Sequence, residues 1–300
     1  MFIDIHAHAY RKTPPFVCRF CTAEQLIMRY DEVGIERGVL LPIVSPEIYF
    51  PQANEDILDM VEQYPDRLIP FCNIDPRILA NSADAPLDQV LRHYKDRGCK
   101  GLGEVMPNMP LMHPMVQNLF KHAEDVGLPV IFDNSDQVGG DFGLYDDPGL
   151  PQLEKTLQRF PKLIILGHGP LFWSEIGFLE APAENTVFRP RAGQIKRPRP
   201  SGPIKEEGVM PKLLRKYPNL YGDLSDWNPW NALSRDPEYG IKFVNEFQDR
   251  LLFGTDICSF DMPLDMIDLL IEWRDSNEIS ELVFSKVARE NAVKLLGLGN

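Results

Sequence analysis

Two histidines near the start of the chain and an aspartate near its end have the clearest chemical potential. His6 and His8 are two residues apart, and side chains at that spacing on a strand point the same way. Asp256 follows a second apolar run. Three protein ligands plus water are the open arrangement of catalytic zinc, which lowers the pKa of that water from about 15.7 towards 7. The three residues therefore predict a metal site, with Asp256 also placed to take the proton of the water.

The three residues can meet only if the first and last strands of a sheet are neighbours. Eight short apolar runs, each followed by a loop and a helix-like stretch, recur along the chain. They are Phe2–His6, Arg37–Ile43, Leu68–Ile74, Cys99–Val105, Pro129–Phe132, Leu163–Gly167, Leu220–Leu224 and Leu251–Gly254. Near-continuous apolar runs are typical of parallel strands covered on both faces. Eight alternations predict an α/β fold, a TIM-like (β/α)₈ barrel whose strand ends share one face.

Amphipathic segments between these runs predict the helices. Thr22 is a predicted N-cap, and the later helices cover Glu55–Gln63, Leu87–Arg97, Val116–Val126, Leu150–Phe160, Val209–Lys216, Glu238–Phe247 and Leu264–Ser276. An extra C-terminal helix, about Glu281–Leu296, ends at Gly297. A doubly wound open sheet is the rival fold, but it usually has five or six strands and a glycine-rich phosphate loop that this chain lacks. The sequence predicts a single domain over residues 1–300.

One connection is much longer than the others. Residues 169–208 follow the sixth predicted strand, whereas such loops usually have two to six residues. The part from Asn185 to Lys205 is rich in proline and has no acidic residue. Its basic residues are Arg189, Arg191, Lys196, Arg197, Arg199 and Lys205. Such an insertion is typical of an active-site lid or a subunit contact and favours a homodimer; a disordered surface loop is the alternative.

Composition excludes several classes of protein. The net charge of −13 argues against a nucleic-acid binder, because phosphate recognition needs a basic surface. The chain opens without a secretory signal, and no apolar run approaches the roughly 20 residues needed to cross a bilayer. We therefore expect a cytoplasmic protein with no membrane partner. Cys18 and Cys21 form a lone C-x-x-C with no second pair, so the five cysteines are expected to be reduced and non-catalytic.

Five segments together resemble the amidohydrolase superfamily. They are Phe-Ile-Asp-Ile-His-Ala-His (2–8), Lys-Leu-Ile-Ile-Leu-Gly-His-Gly-Pro (162–170), Leu-Tyr-Gly-Asp-Leu-Ser (220–225), Leu-Phe-Gly-Thr-Asp (252–256) and Arg-Glu-Asn-Ala-Val-Lys-Leu-Leu-Gly (289–297). The resemblance is greatest to the branch that includes aminocarboxymuconate-semialdehyde decarboxylase, aromatic-acid decarboxylases and lactone hydrolases. It implies a TIM-like barrel, one or two zinc or similar divalent ions, and hydrolysis or decarboxylation of small molecules.

The resemblance also assigns roles by position. His6 and His8 match the first-strand ligands, and Asp256 matches the eighth-strand aspartate. His168 matches the sixth-strand histidine, which in this branch activates water or polarises the substrate. A buried structural imidazole is the alternative for His168. Asp223 is expected to be a structural carboxylate, and Asp4 to share a strand face with the two histidines as part of a core polar network.

The fifth predicted strand departs from the pattern of the family. Family members usually carry a metal-binding histidine there, whereas this chain has Asp133. Asp133 could replace the histidine as an oxygen ligand. Alternatively, Glu104 at the end of the fourth predicted strand fills the position, in a Gly-Glu pair that looks like that of TatD-type nucleases. Each carboxylate could instead orient a ligating histidine.

Basic and aromatic residues beyond the strand ends indicate the substrate. Arg11 and Arg19 follow the first predicted strand, and Trp173 follows the sixth; Lys12, Trp227 and Trp230 lie in similar positions. These residues suit a small anionic substrate, aromatic or sugar-derived, although solvated charges are the alternative.

The predicted activity is metal-dependent hydrolysis of a C–O or C–N bond, as in a lactone or amide. Asp256 would carry the proton and His168 would stabilise the developing oxyanion. A non-oxidative decarboxylase with the same metal is the second interpretation. An inactive barrel that serves as a binding or scaffold protein is the third, supported only by the missing fifth-strand histidine.

Overall fold

The computed structural model describes residues 1–13, 19–47, 50–139, 142–179 and 200–299. Parallel strands alternate with helices through these segments. The strands are β1 (Phe2–Ala7), β2 (Ile35–Leu40), β3 (Leu68–Pro70), β4 (Leu102–Val105), β5 (Val130–Ser135), β6 (Leu144–Tyr145), β7 (Ile165–His168), β8 (Leu220–Asp223) and β9 (Leu251–Leu252). All eight predicted strands are present; β6 was not predicted, because two residues are too few to show a pattern.

The strands form two sheets that join into the predicted TIM-like barrel. One sheet has the order β1-β2-β3 and the other β4-β5-β7-β8-β9, with the short β6 beside β5. At one seam a parallel bridge joins Cys72 to Leu102. At the other, a bridge joins Ala7 to Ile257, just beyond the end of β9. The first and last strands are therefore neighbours, as the sequence requires.

Helices cover the outside of the strands. Within the described residues they are α1 (Ala23–Val33), α2 (Asn54–Gln63), α3 (Leu87–Asp96), α4 (Pro114–Val126), α5 (Pro151–Arg159), α6 (Pro170–Ser174), α7 (Val209–Lys216), α8 (Trp227–Ser234), α9 (Pro237–Phe247), α10 (Asp265–Asp275), α11 (Glu281–Ser285) and α12 (Asn291–Leu296). A π-helical turn, Lys286–Glu290, makes α11 and α12 one continuous segment, as predicted. Thr22 caps α1, since its side chain accepts a hydrogen bond from the Gln25 amide.

The long insertion is described only at its two ends. α6 lies in the first part, and an antiparallel bridge between Gly177 and Glu207 brings the two ends together. Cys18 and the basic residues Arg189, Arg191, Lys196, Arg197 and Arg199 lie outside the described residues. The predicted role of the insertion as a lid or subunit contact stays a prediction.

The barrel interior is filled by aliphatic side chains. Ile3 and Ile5 of β1 meet inward residues of the other strands, including Ile131 and Leu166. Leu296 of α12 is 4% exposed and packs against this cluster. The extra C-terminal helix is therefore part of the core and not an appendage.

An irregularity in β1 changes which side chains face the interior. Asp4 pairs with Gly38 and Ala7 pairs with Leu40, so β1 takes three steps where β2 takes two. One extra residue in a strand is a β-bulge, and it breaks the alternation of faces. Counting in steps of two across the bulge therefore assigns a side chain to the wrong face of the sheet.

The bulge explains why one prediction about Asp4 is wrong. Asp4 does not share a face with His6 and His8; it points towards α1, where the Tyr30 hydroxyl donates a hydrogen bond to it over 2.8 Å. The expectation of a buried polar network is correct, because Asp4 is fully buried and also accepts hydrogen bonds from Thr255.

Candidate metal centre

The two histidines at the end of β1 converge on one point. His6 Nε2 and His8 Nε2 lie 3.2 Å apart. The other ring nitrogen of each histidine is engaged: His6 Nδ1 lies 2.7 Å from an Asp223 oxygen, and His8 Nδ1 lies 3.0 Å from the Leu41 carbonyl. Because carboxylates and carbonyls accept hydrogen bonds, these partners favour the proton on Nδ1 and leave Nε2 as the ligand atom.

Two carboxylates face the same point. A Glu104 oxygen lies 3.5 Å from His6 Nε2 and 3.4 Å from His8 Nε2. An Asp256 oxygen lies 3.5 Å and 3.3 Å from the same two atoms. Glu104 is buried, whereas the Asp256 side chain is 21% exposed. Of the two carboxylates, Asp256 is therefore the more accessible to solvent.

The spacing of these atoms fits a divalent cation. Donor atoms bonded at about 2.1 Å to one tetrahedral ion lie about 3.4 Å apart, close to the separation of the two histidine nitrogens and to the distance of each carboxylate from them. His6, His8 and Asp256 form one possible metal-binding triple among the described residues. The predicted ligands from opposite ends of the chain thus come together, and Glu104 joins them. Two imidazole nitrogens with carboxylate oxygens are a donor set suited to zinc and similar ions.

His168, at the end of β7, lies beside this group. Its Nδ1 is 3.0 Å from the Ser225 hydroxyl and 3.4 Å from Asp223. Its Nε2 is 3.7 Å from Glu104 and 4.0 Å from Asp133. A polar setting of this kind favours a chemical role for His168 over that of a structural imidazole.

Glu104 and Asp133 occupy different places. Glu104 lies between the histidines of β1 and His168, with one oxygen towards each side. Asp133 forms a second possible triple with Glu104 and His168. The geometry therefore favours Glu104 as the carboxylate that accompanies His6 and His8, and places Asp133 with His168.

Electrostatics within the centre favour positive charge. Burial lowers the pKa of His6 and His8, but the surrounding carboxylates outweigh it and raise the pKa of both. For His168, burial and the charge of His6 act downwards, yet Asp223 and Glu104 raise its pKa to about 9. Carboxylates that favour a proton on these nitrogens would equally favour a metal cation between them.

Asp223 has a larger part in the centre than its sequence position indicates. Burial raises its pKa, but the imidazoles of His6 and His168 hold the pKa below its ordinary value. Its carboxylate lies within 3.4 Å of both rings and so orients two histidines at once. Asp223 ends β8 and Ser225 lies two residues later. Because side chains two residues apart on an extended chain point the same way, the spacing could have indicated Ser225 as a second neighbour of His168.

Of the three predicted substrate-binding residues, Arg11 pairs with acidic side chains and Trp173 is buried. Arg11 Nη1 lies 2.9 Å from Asp56 and 3.3 Å from Asp59, so two carboxylates compensate its charge. Arg19 is exposed. Trp173 is only 1% exposed, which does not fit the predicted contact with substrate. Its indole N–H donates to the Asp223 carbonyl over 3.0 Å, so Trp173 instead supports the strand that carries Asp223.

Trp227 and Trp230 lie near the centre but in a separate recess. Their rings are 5.6 Å apart and half-buried. They line a mostly apolar cavity of about 230 Å³ together with Thr255, the residue before Asp256. Aromatic surface thus lies close to Asp256.

Comparison with known proteins gives a family match over nearly the whole chain. The sequence model described as Amidohydrolase matches residues 3–298. None of the curated protein sequences matches the chain significantly. Within the described residues, every helix is too short or too polar to cross a membrane.

Solved structures with the same fold cover the chain from end to end. An uncharacterised TIM-barrel protein of Bordetella bronchiseptica aligns with a TM-score of 0.64 and 20% identity, over 99% of this chain and 98% of its own. A probable 2-pyrone-4,6-dicarboxylic acid hydrolase of Acinetobacter baumannii, with citric acid bound, aligns with a TM-score of 0.59 and 16% identity over 99% of each chain. The 5-carboxyvanillate decarboxylase of Novosphingobium aromaticivorans, complexed with manganese and a nitrobenzoic acid, aligns with a TM-score of 0.60 and 15% identity. The alignment covers 99% of this chain and 96% of the decarboxylase.

Proposed function

This chain belongs to the amidohydrolase family, and we propose that it is a metal-dependent hydrolase of a C–O or C–N bond in a small molecule such as a lactone or amide. One observation carries the proposal: Glu104 and Asp256 each place an oxygen 3.3 to 3.5 Å from the Nε2 atoms of His6 and His8, which lie 3.2 Å apart. His6, His8, Glu104 and Asp256 would hold the ion.

Each residue of the centre has a distinct part in this proposal. A bound divalent ion would supply Lewis acidity. Asp256, partly exposed beside the two histidines, accepts a proton from water and returns it to the leaving group. His168, held through Nδ1 by Ser225 and Asp223, presents Nε2 and stabilises negative charge on the substrate.

The choice of ion and its number are part of the proposal. We infer zinc, because two imidazole nitrogens with carboxylate oxygens suit it, although manganese accompanies one structural neighbour. If a second ion binds, Glu104, Asp133 and His168 would hold it, and His168 Nε2 would then be a ligand instead of a group that faces the substrate. Elemental analysis of the purified protein gives both the identity and the stoichiometry.

The activity is tested with protein loaded with zinc, manganese or cobalt and offered lactones, amides and aromatic carboxylic acids. Hydrolysis places one oxygen of ¹⁸O-labelled water in the product. His6→Ala should abolish both metal binding and turnover, whereas His93→Ala, an exposed histidine on α3, should change neither. Full activity of the His6→Ala enzyme after metal removal would refute the proposal.

Decarboxylation is the second candidate. A decarboxylase with the same fold covers the whole chain, and the same centre can serve that reaction. Release of CO₂ without incorporation of labelled oxygen would identify it. A scaffold role, the third interpretation, predicts a protein without stoichiometric metal and without turnover of any compound offered.

We also propose a small anionic substrate, a cytoplasmic location and a homodimer. Arg19 is exposed beyond β1, whereas Arg11 is neutralised by two carboxylates. Arg19→Ala should therefore raise KM for an acidic substrate more than for its neutral analogue, and Arg11→Ala should have the smaller effect. Light scattering in solution would show the dimer by its mass.

A further inference from the structure

We propose that Asp4 is a positioning residue that fixes the metal ligands of β1 relative to Asp256. The inference rests on the proposed metal centre. Asp4 is not one of the proposed metal ligands, and its side chain lies on the α1 side of the sheet, away from the ring nitrogens of the two histidines. Its effect would pass through the backbone of the residues that carry the ligands.

The hydrogen bonds of Asp4 reach both sides of the seam between β1 and the segment after β9. One carboxylate oxygen accepts from the backbone amide of His6 over 3.0 Å and from that of Thr255 over 2.9 Å. The other accepts from the Thr255 hydroxyl over 2.6 Å and from the Tyr30 hydroxyl over 2.8 Å. Each backbone target is a ligand residue or its immediate neighbour.

The position of these bonds explains why a side chain is needed there. The bulge in β1 interrupts the regular ladder between residues 4 and 7, and such an interruption leaves backbone groups in need of other partners. Asp256 itself bonds back to β1, because its amide donates to the His6 carbonyl over 2.8 Å. Asp4 therefore completes the connection at the point where the two ligand-bearing segments meet.

Two substitutions of Asp4 separate the effect of its hydrogen bonds from the effect of its charge. Asparagine at position 4 can keep its oxygen on the two backbone amides while its NH₂ group donates to the two hydroxyls, since a hydroxyl also accepts. Asp4→Asn can thus keep four hydrogen bonds, two of them with the donor reversed, and removes the charge; the Thr255 hydroxyl proton can then turn to the His6 carbonyl, 3.4 Å away. Asp4→Ala removes the bonds themselves. A positioning role predicts that the first variant behaves like the natural protein and the second does not.

The test is cobalt binding, measured as affinity by chelator competition and as the visible spectrum, which reports the coordination geometry. Asp4→Ala should weaken cobalt affinity at least tenfold and alter the spectrum, whereas Asp4→Asn should stay within about threefold. Leu26→Ala, a buried position on α1, controls for general destabilisation. All variants are measured at a temperature where circular dichroism shows them folded.

The outcomes separate this inference from the proposed function. If the natural protein binds no cobalt, the proposed metal centre fails. If it binds cobalt but Asp4→Ala keeps its affinity and spectrum, the positioning role is wrong. An equal loss of affinity in Leu26→Ala would also overturn it, since the effect would then follow stability alone.

Discussion

At the scale of single residues, the candidate centre depends on which nitrogen of each histidine is free. His6 and His8 lie two residues apart, yet their Nδ1 atoms have unrelated partners, the Asp223 carboxylate and the Leu41 carbonyl. Both partners direct Nε2 to the same point. The histidine pair is thus oriented by groups from two other strand ends, and its geometry does not depend on β1 alone.

Glu104 and Asp133 should differ in what their loss does to metal binding. Glu104 lies within 3.5 Å of both Nε2 atoms, whereas Asp133 accompanies His168. We expect Glu104→Gln to weaken binding of the first ion at least tenfold, about 1.4 kcal/mol, and Asp133→Asn to leave that ion in place. Titration calorimetry with zinc measures both, with Glu62→Gln on the exposed face of α2 as control. A larger loss in Asp133→Asn would reverse our assignment.

Residue identity and spacing predicted part of this site. His6, His8 and Asp256 converge as expected, because parallel strand ends share one face of the barrel, and Glu104, one of two alternatives left open by the sequence, lies within 3.5 Å of both histidines. The burial of Trp173 was not predictable, since the side chain lies on a five-residue helix too short to show a periodic pattern. The neutralisation of Arg11 depends on acids of α2 that are distant in sequence.

At the scale of elements, α12 contributes to the barrel core. Leu296 is 4% exposed and packs on the inward-facing cluster of the strands. Leu296→Ala should therefore lower the free energy of unfolding by about 3 kcal/mol, within the usual range for a buried leucine. Urea unfolding measures the change, and Leu282→Ala, 59% exposed on α11, is the matched control. Equal small effects would mean that α12 does not stabilise the core.

A second contact ties the C-terminal segment to β2 and should make stability depend on pH. Arg289 Nε lies 3.0 Å from Glu36, and this hydrogen bond lowers the pKa of Glu36 below its ordinary 4.5. A depressed carboxyl pKa contributes stability above about pH 4.5, and that contribution disappears as the pH falls through the lowered value. Because both groups are partly exposed, the contribution is about 0.5 kcal/mol.

The Glu36 contribution is tested by comparing Glu36→Gln with the natural protein at several pH values. The difference in free energy of unfolding should be largest near pH 6 and should shrink towards pH 3. The same comparison with Glu62→Gln serves as control. A difference that grows on acidification would have the wrong sign and would exclude this explanation.

The order and type of most elements followed from the sequence, whereas local irregularities did not. Apolar runs and helix caps such as Thr22 act over many residues and leave a periodic signal. The bulge in β1 is a single extra residue, so the pattern of Ile3, Ile5 and the histidines reads as even alternation. Packing against Tyr30 decides the face of Asp4, and that contact is not visible in a one-dimensional pattern.

At the scale of the whole molecule, the centre spans two separately bonded sheets. His6 belongs to the three-stranded sheet and His8 directly follows its first strand, whereas Glu104 belongs to the other sheet. Asp256 follows the last strand of that second sheet. Within the described part of the chain, the two sheets are joined by isolated bridges and not by a continuous ladder of hydrogen bonds. A cation held by these residues would therefore add a further connection between the sheets. Metal binding should therefore act on global stability as well as on activity.

Removal of the metal should lower the melting temperature. A ligand at a hundred times its Kd stabilises the folded state by about 2.7 kcal/mol, enough to shift the transition by several degrees in a chain of this size. Scanning calorimetry with zinc and with a chelator measures the shift. His6→Ala should melt at the same temperature in both conditions. A chelator effect that survives in His6→Ala would indicate binding elsewhere.

The extra residue in β1 means that the spacing of the N-terminal segment matters as much as its composition. Deleting one residue between Asp4 and Ala7 would restore regular alternation and move the preceding side chains to the opposite face. The Asp4 carboxylate would then face the apolar barrel interior, and Ile3 would leave it. A substitution there changes one group, but a change of length moves several together. Natural relatives that keep this centre should therefore differ in this stretch by exchange of residues and not by gain or loss of one.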